Sequence, residues 1–191
     1  MELQGERLIP ASVDTTWASL NDPEVLKACI AGCESLERTG EDTMTAVVAL
    51  KVGPVSARFK GKLAMTNVTP PSGYTINFDG QGGVAGFGKG SADVALTAQG
   101  ATQTLLKYTA RATVGGKMAQ VGSRLIDATA GKVTDDFFKA FEAHLQAAAA
   151  PAGASAPSTA VDTAGSDGGV ARIGWLIGAV VVLAIVYFVI R

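Results

Sequence analysis

Between positions 43 and 114 apolar and polar side chains alternate in successive runs, and each run stops at a turn signal. Met44, Ala46, Val48, Leu50 and Val52 alternate with Thr45, Val47, Ala49 and Lys51, and Gly53-Pro54 follows. Val55, Ala57, Phe59, Gly61, Leu63 and Met65 alternate with a charged set, Arg58, Lys60 and Lys62 among them. After Pro70-Pro71-Ser72-Gly73 come Tyr74, Ile76 and Phe78, then Ala92, Val94 and Leu96, then Leu106, Tyr108, Ala110, Ala112 and Val114. A period of two puts alternate side chains on opposite faces of a strand. Five such runs joined by turns predict an antiparallel meander with one buried face.

After Gly115-Gly116 the period lengthens. Met118, Val121, Leu125, Val133, Phe137, Phe141 and Leu145 fall near helical spacing and predict one long helix over 117–149. Gly122, Ala128 and Gly131 make the middle of this helix small. The apolar sheet face and the helix stripe have to cover each other. Residue sizes leave two arrangements open: an apolar cavity between the layers, or a core filled by larger neighbours. Before the meander, the first nine residues read as a strand. Ser12-Val13-Asp14 and Asp22-Pro23-Glu24 each open a short helix, the second with proline in its first turn.

The far end is different. Residues 173–190 carry no charge. As a helix they reach about 27 Å, close to a bilayer core of ~30 Å. Trp175 and Tyr187 lie near its ends, and Arg172 and Arg191 bracket it. The preceding stretch is rich in Ala, Pro, Gly and Ser and holds nothing able to form a core. The expected organisation is a head at 1–146, a flexible tether at 147–170 and a transmembrane tail anchor at 171–191. The start of the chain has no apolar run of signal-peptide length. The expected location is the inner (cytoplasmic) membrane, with the head in the cytoplasm. The formal net charge of −1 excludes a basic nucleic-acid clamp.

In order, a strand, two short helices, a long antiparallel sheet and a C-terminal helix resemble the helix-grip fold of the START-like (SRPBCC) superfamily, an α+β class. The segments Asp22-Pro23-Glu24-Val25-Leu26, Gly32-Cys33-Glu34 and Lys51-Val52-Gly53-Pro54-Val55-Ser56-Ala57-Arg58-Phe59 carry a narrower likeness. It continues through Gly82-Gly83-Val84-Ala85-Gly86-Phe87 and 115–127. These segments resemble the family of the carbon monoxide dehydrogenase G subunit over about residues 1–145, with Ala31 where a proline is expected. The resemblance implies a non-catalytic accessory protein. Its partners would be the lipid bilayer and an aerobic molybdenum CO dehydrogenase or related hydroxylase. A superfamily cavity beside a membrane tether suggests a non-covalent respiratory quinone, menaquinone or ubiquinone, as ligand. The alternative is a recruitment adaptor with a filled core. Strand parity and the helix stripe select Leu50, Phe59, Leu63, Met65, Ile76, Phe78, Tyr108, Met118, Val121 and Leu125 as candidate ligand contacts, and Phe87 joins them as the large apolar residue of the glycine-rich loop. Arg124 is the candidate polar contact, with pairing to Asp127 as the alternative.

Other motifs are weaker. The stretch 80–90 is expected to be a loop, either a mobile lid or a plain hairpin, with Phe87 as an apolar plug or a partner-facing tip. Gly83, Gly88 and Lys89 approach a phosphate-loop spacing, but Gly90 stands where a hydroxyl is needed and a strand follows, so phosphate binding is not expected. Cys29 and Cys33 lack two further ligands for zinc and are expected as free thiols, with no metal site. His144 has no orienting acid and is expected at the surface. Lys51, Arg58, Lys60 and Lys62 make a basic sheet face, suited to an acidic partner or lipid headgroups, or simply solvated.

Overall fold

A computed structural model describes residues 2–149. The chain runs β1 (Glu2–Ile9), α1 (Val13–Leu20), α2 (Pro23–Cys29), β2 (Cys33–Arg38), β3 (Thr43–Val52), β4 (Val55–Thr69) and β5 (Gly73–Gln81). A 3-10 turn (Gly83–Ala85) leads to β6 (Phe87–Ala98) and β7 (Thr104–Gly115). A second 3-10 turn (Met118–Val121) precedes α3 (Ser123–Ala149). The strands form one seven-stranded antiparallel sheet in the order β1-β7-β6-β5-β4-β3-β2, so only β1 departs from the meander.

Local chemistry sets the short helices. The Ser12 hydroxyl accepts the Thr15 amide at 3.2 Å, and the Asp22 carboxylate accepts the Glu24 amide at 2.9 Å. Each satisfies an amide that the first helical turn leaves unpaired.

One strand is missed and two expectations need correction. β2 was not legible, because Cys33–Arg38 buries only Leu36 and shows no full alternation. The long helix starts at Ser123 rather than 117: Gly122 has φ +93°, a left-handed break between the 3-10 turn and α3. The glycine stretch 80–90 is mostly strand, with Gly80 in β5 and Gly88 and Gly90 in β6. Only 82–86 turns, because a ladder uses backbone groups that glycine supplies as well as any residue.

The sheet's inner face and α3 bury each other's apolar residues. In the C-terminal half of α3 the packing is aromatic. Phe137 stacks on Phe141 at 5.6 Å, and Phe138 stacks on Tyr108 of β7 at 5.8 Å. Arg7 of β1 lies 5.5 Å over the Phe138 ring and pairs with Asp135. At its other end α3 rests on the β3–β4 turn, where the Leu125 side chain covers Gly53. Leu125 and Phe138 are thus two supports about 20 Å apart along the helix. Among the described residues no helix is long and apolar enough to cross a membrane; the apolar run 173–190 lies outside them, as does nearly all of the expected tether.

Candidate functional site

Between the two supports the sheet presents a row of small residues. Strand register aligns Ala46 with Gly61, Gly61 with Gly80, Gly80 with Gly88, and Gly88 with Val114. All five share the parity of buried residues on their strands, so they face α3. Three neighbouring strands therefore offer backbone alone to the interior along one row. A Cβ on Gly61 would meet only the Asp79 carbonyl oxygen, at 4.0 Å. On one flank Phe59 folds over Gly82, where a Cβ would strike the ring at 2.2 Å. On the other, Phe78 leans over Gly90, with its ring tip 2.7 Å from a Cβ placed there. Leu63 and Met44 continue that second flank, and Ala112 ends it. In terms of side-chain size the result is a trough, a glycine row flanked by the rings of Phe59 and Phe78. On its buried face α3 carries Ile126, Ala130, Val133, Thr134 and Phe137 over the same stretch. Gly131 has no atom within 4 Å of where its Cβ would stand.

Two buried side-chain polar groups of the described residues are unpaired. Thr134 is 2% exposed, and its hydroxyl has no hydrogen-bond partner. Leaving such a group without a partner costs about 1–3 kcal/mol, so a ligand acceptor offers it a gain. The indole N–H of Trp17 is also buried and unpaired. It lies against β5, where Trp17 packs edge-on to Tyr74 at 5.4 Å.

The residues singled out from sequence divide into three groups. Phe59, Leu63, Met65, Ile76, Phe78, Tyr108 and Met118 are buried. Tyr108 serves as a support under Phe138, and burial raises its phenol pKa. Leu50 and Val121 are half-buried at the margin of the core. Phe87 and Leu125 are exposed, at 40% and 41%. Phe87 has the outward parity of β6 and lies over Gly115, so it is not a plug for the interior. Arg124 is also exposed and takes part in none of the ion pairs of the described residues, so neither the inward contact nor the Asp127 pair is seen. Its place before the buried arc of α3, which begins at Ile126, turns it to solvent. Gly61, Gly80, Gly88, Ile126, Ala130 and Thr134 were missed. Glycines of like parity on adjacent strands were the available signal, but it needs the register to be read.

The outward sheet face holds open hollows, one of them about 940 Å³ and lined by Asp79, Lys89 and Arg111 among others. Lys62, Asp79 and Lys89 alternate in sign across three strands there. Such a surface suits water better than an apolar guest. Lys89 stands on a strand opposite Asp79, and no helix N-terminus follows it to receive a phosphate.

Cys29 and Cys33 are free thiols. Burial pushes the Cys29 thiol up to about 11 and raises that of Cys33, with Lys27 opposing the second shift. Because only a thiolate attacks, iodoacetamide at pH 8 should modify Cys29 in the native protein at least tenfold more slowly than after denaturation. Mass spectrometry gives the two rates. Above pH ~9 the unfolded chain loses the Cys29 proton while the folded chain keeps it, so stability falls with rising pH until the folded thiol titrates.

A curved antiparallel sheet gripping a C-terminal helix over an apolar interior is an α+β arrangement with a START-like fold. The chain belongs to the CoxG family, that of the carbon monoxide dehydrogenase G subunit, whose profile matches residues 5–146. A conserved protein from Geobacillus kaustophilus, of known crystal structure, is 32% identical, with 78% of this chain and 97% of that chain covered and a TM-score of 0.73. The matched unit therefore makes up nearly a whole solved chain there. A START superfamily protein from Mycobacterium smegmatis is 16% identical over 77% of this chain and 98% of its own, with a TM-score of 0.57. The Zhui aromatase/cyclase from Streptomyces sp. R1128 is 14% identical over 80% and 98%, with a TM-score of 0.56. These two share the fold alone. No curated protein matches the chain.

Proposed function

We propose that this protein is a non-catalytic, membrane-tethered accessory protein. It holds a respiratory quinone, menaquinone or ubiquinone, in the trough beneath α3. Its tether and tail anchor bring an aerobic molybdenum CO dehydrogenase, or a related hydroxylase, to the inner membrane. Family membership supports the accessory role and the enzyme partner. The observation that carries the ligand is a glycine row on the inward face of the sheet together with a buried, unpaired Thr134 hydroxyl on the buried face of α3. A flat ring fits a floor without side chains, a ring carbonyl accepts from a hydroxyl, and an isoprenoid chain gains about 25 cal/mol for each Å² taken from water. Membership in the family of a CO dehydrogenase subunit supports binding over catalysis.

The test is an organic extract of the full chain, purified in mild detergent from membranes rich in quinone. One quinone per protein is expected. An extract without quinone contradicts the carrier and leaves the recruitment adaptor. Thr134→Val supplies a sharper reading. It removes a buried unpaired hydroxyl at constant shape, so the ligand-free protein should gain about 1 kcal/mol, while retained quinone should fall about tenfold. Thr134→Ser should keep the wild-type content. Equal quinone in Thr134→Val and wild type would remove Thr134 from the site.

A further inference from the structure

We infer that the open end of the grip is a docking surface for an anionic lipid bilayer, separate from the tail anchor. Val84 is 86% exposed, Phe87 40% and Leu125 41%; among the described residues the other large apolar side chain so exposed is Leu8. The first three stand at one end of the sheet. Val84 occupies the β5–β6 turn, Phe87 opens β6, and Leu125 sits on the β3–β4 turn at Gly53. The β5–β6 turn is tied to the end of β7, since a Cβ on Gly86 would strike the Gly115 carbonyl oxygen at 2.0 Å. These side chains are separate tips rather than one flat patch, a form that inserts between headgroups.

The charge around the tips has one dominant sign. Lys51, Lys60, Lys117 and Arg124 are exposed at this end, and none enters an ion pair among the described residues. Asp127 opposes them, while Glu34 is bonded to Arg58 at 2.7 Å. At the opposite end the β2–β3 turn carries Glu41 and Asp42, and none of the described strand turns there exposes a large apolar side chain. Cations around apolar tips complement an anionic bilayer, where a neutral one offers only the apolar term. The inference rests on this rim and holds whatever the trough carries.

The test uses residues 1–149, the unit that forms nearly a whole chain in the Geobacillus protein, with quinone-free vesicles so that neither anchor nor ligand contributes. In sedimentation with phosphatidylcholine vesicles containing about 30% phosphatidylglycerol, on the order of tenfold tighter binding than to pure phosphatidylcholine is expected, weakening with salt. Val84→Asp should reduce it at least tenfold, and Lys117→Glu with Arg124→Glu should do the same. Leu8→Asp, on β1, should leave it unchanged. Val84 touches so little that its variant should melt with the wild type. Failure to bind the anionic vesicles, or equal binding by Val84→Asp and wild type, would overturn the proposal and leave the rim to a protein partner.

Discussion

Gly61→Leu should empty the protein of quinone without unfolding it. Position 61 lies mid-strand in β4 on the inward row, and its Cβ has room, with the Asp79 carbonyl oxygen 4.0 Å away. A leucine there lies along the trough floor, between the walls that Phe59 and Leu63 supply. Replacing a strand glycine also removes unfolded-chain entropy and adds β propensity, so the melting temperature should hold or rise. Quinone in the extract should drop more than fiftyfold, because the ligand loses its floor rather than one contact. Gly90→Leu is the contrast. Its Cβ would strike the Arg111 carbonyl oxygen at 2.1 Å, and backbone cannot move aside cheaply, so that variant should fail to fold at 37 °C. A Gly61→Leu protein that folds and still carries one quinone would place the ligand elsewhere.

Phe141→Ala should produce the reverse pattern. Phe141 is fully buried and stacks on Phe137 in the aromatic half of α3. Truncation there removes apolar area and leaves a cavity, a loss of about 3–5 kcal/mol. In a unit of this size that lowers the melting temperature by about 10–15 °C. Phe141 lies beyond the Phe138–Tyr108 support, away from the trough. Quinone retained at 4 °C by the folded variant should therefore stay within a few-fold of wild type. Calorimetry and the extract separate the two roles, and a large quinone loss at full stability would show that Phe141 is a wall rather than a support.

The fold was legible where burial is one-sided. Inward and outward residues of β4, such as Leu63 and Lys62, differ sharply in polarity, and parity assigned them. Capping at Ser12 and Asp22 marked both short helices. β2 hid because a mostly exposed edge strand needs little apolar content. The site was half legible for a related reason. Walls such as Phe59 and Phe78 announce themselves by size, but a floor is made of absent side chains. Gly61, Gly80 and Gly88 lie far apart in sequence and meet only through register. The cluster 80–90 resembled a loop because glycine is both a turn residue and, where backbone must be approached, a strand residue. Arg124 is conspicuous by its charge, whereas Thr134 stands out only through burial, which composition does not report.

A crystal structure of the chain grown with menaquinone tests the central claim most directly. The quinone ring is expected against the Gly61–Gly80–Gly88 row, one carbonyl within hydrogen-bond distance of the Thr134 hydroxyl and the isoprenoid chain running toward Leu125. Side chains filling that row, with the quinone absent or held outside α3, would contradict it.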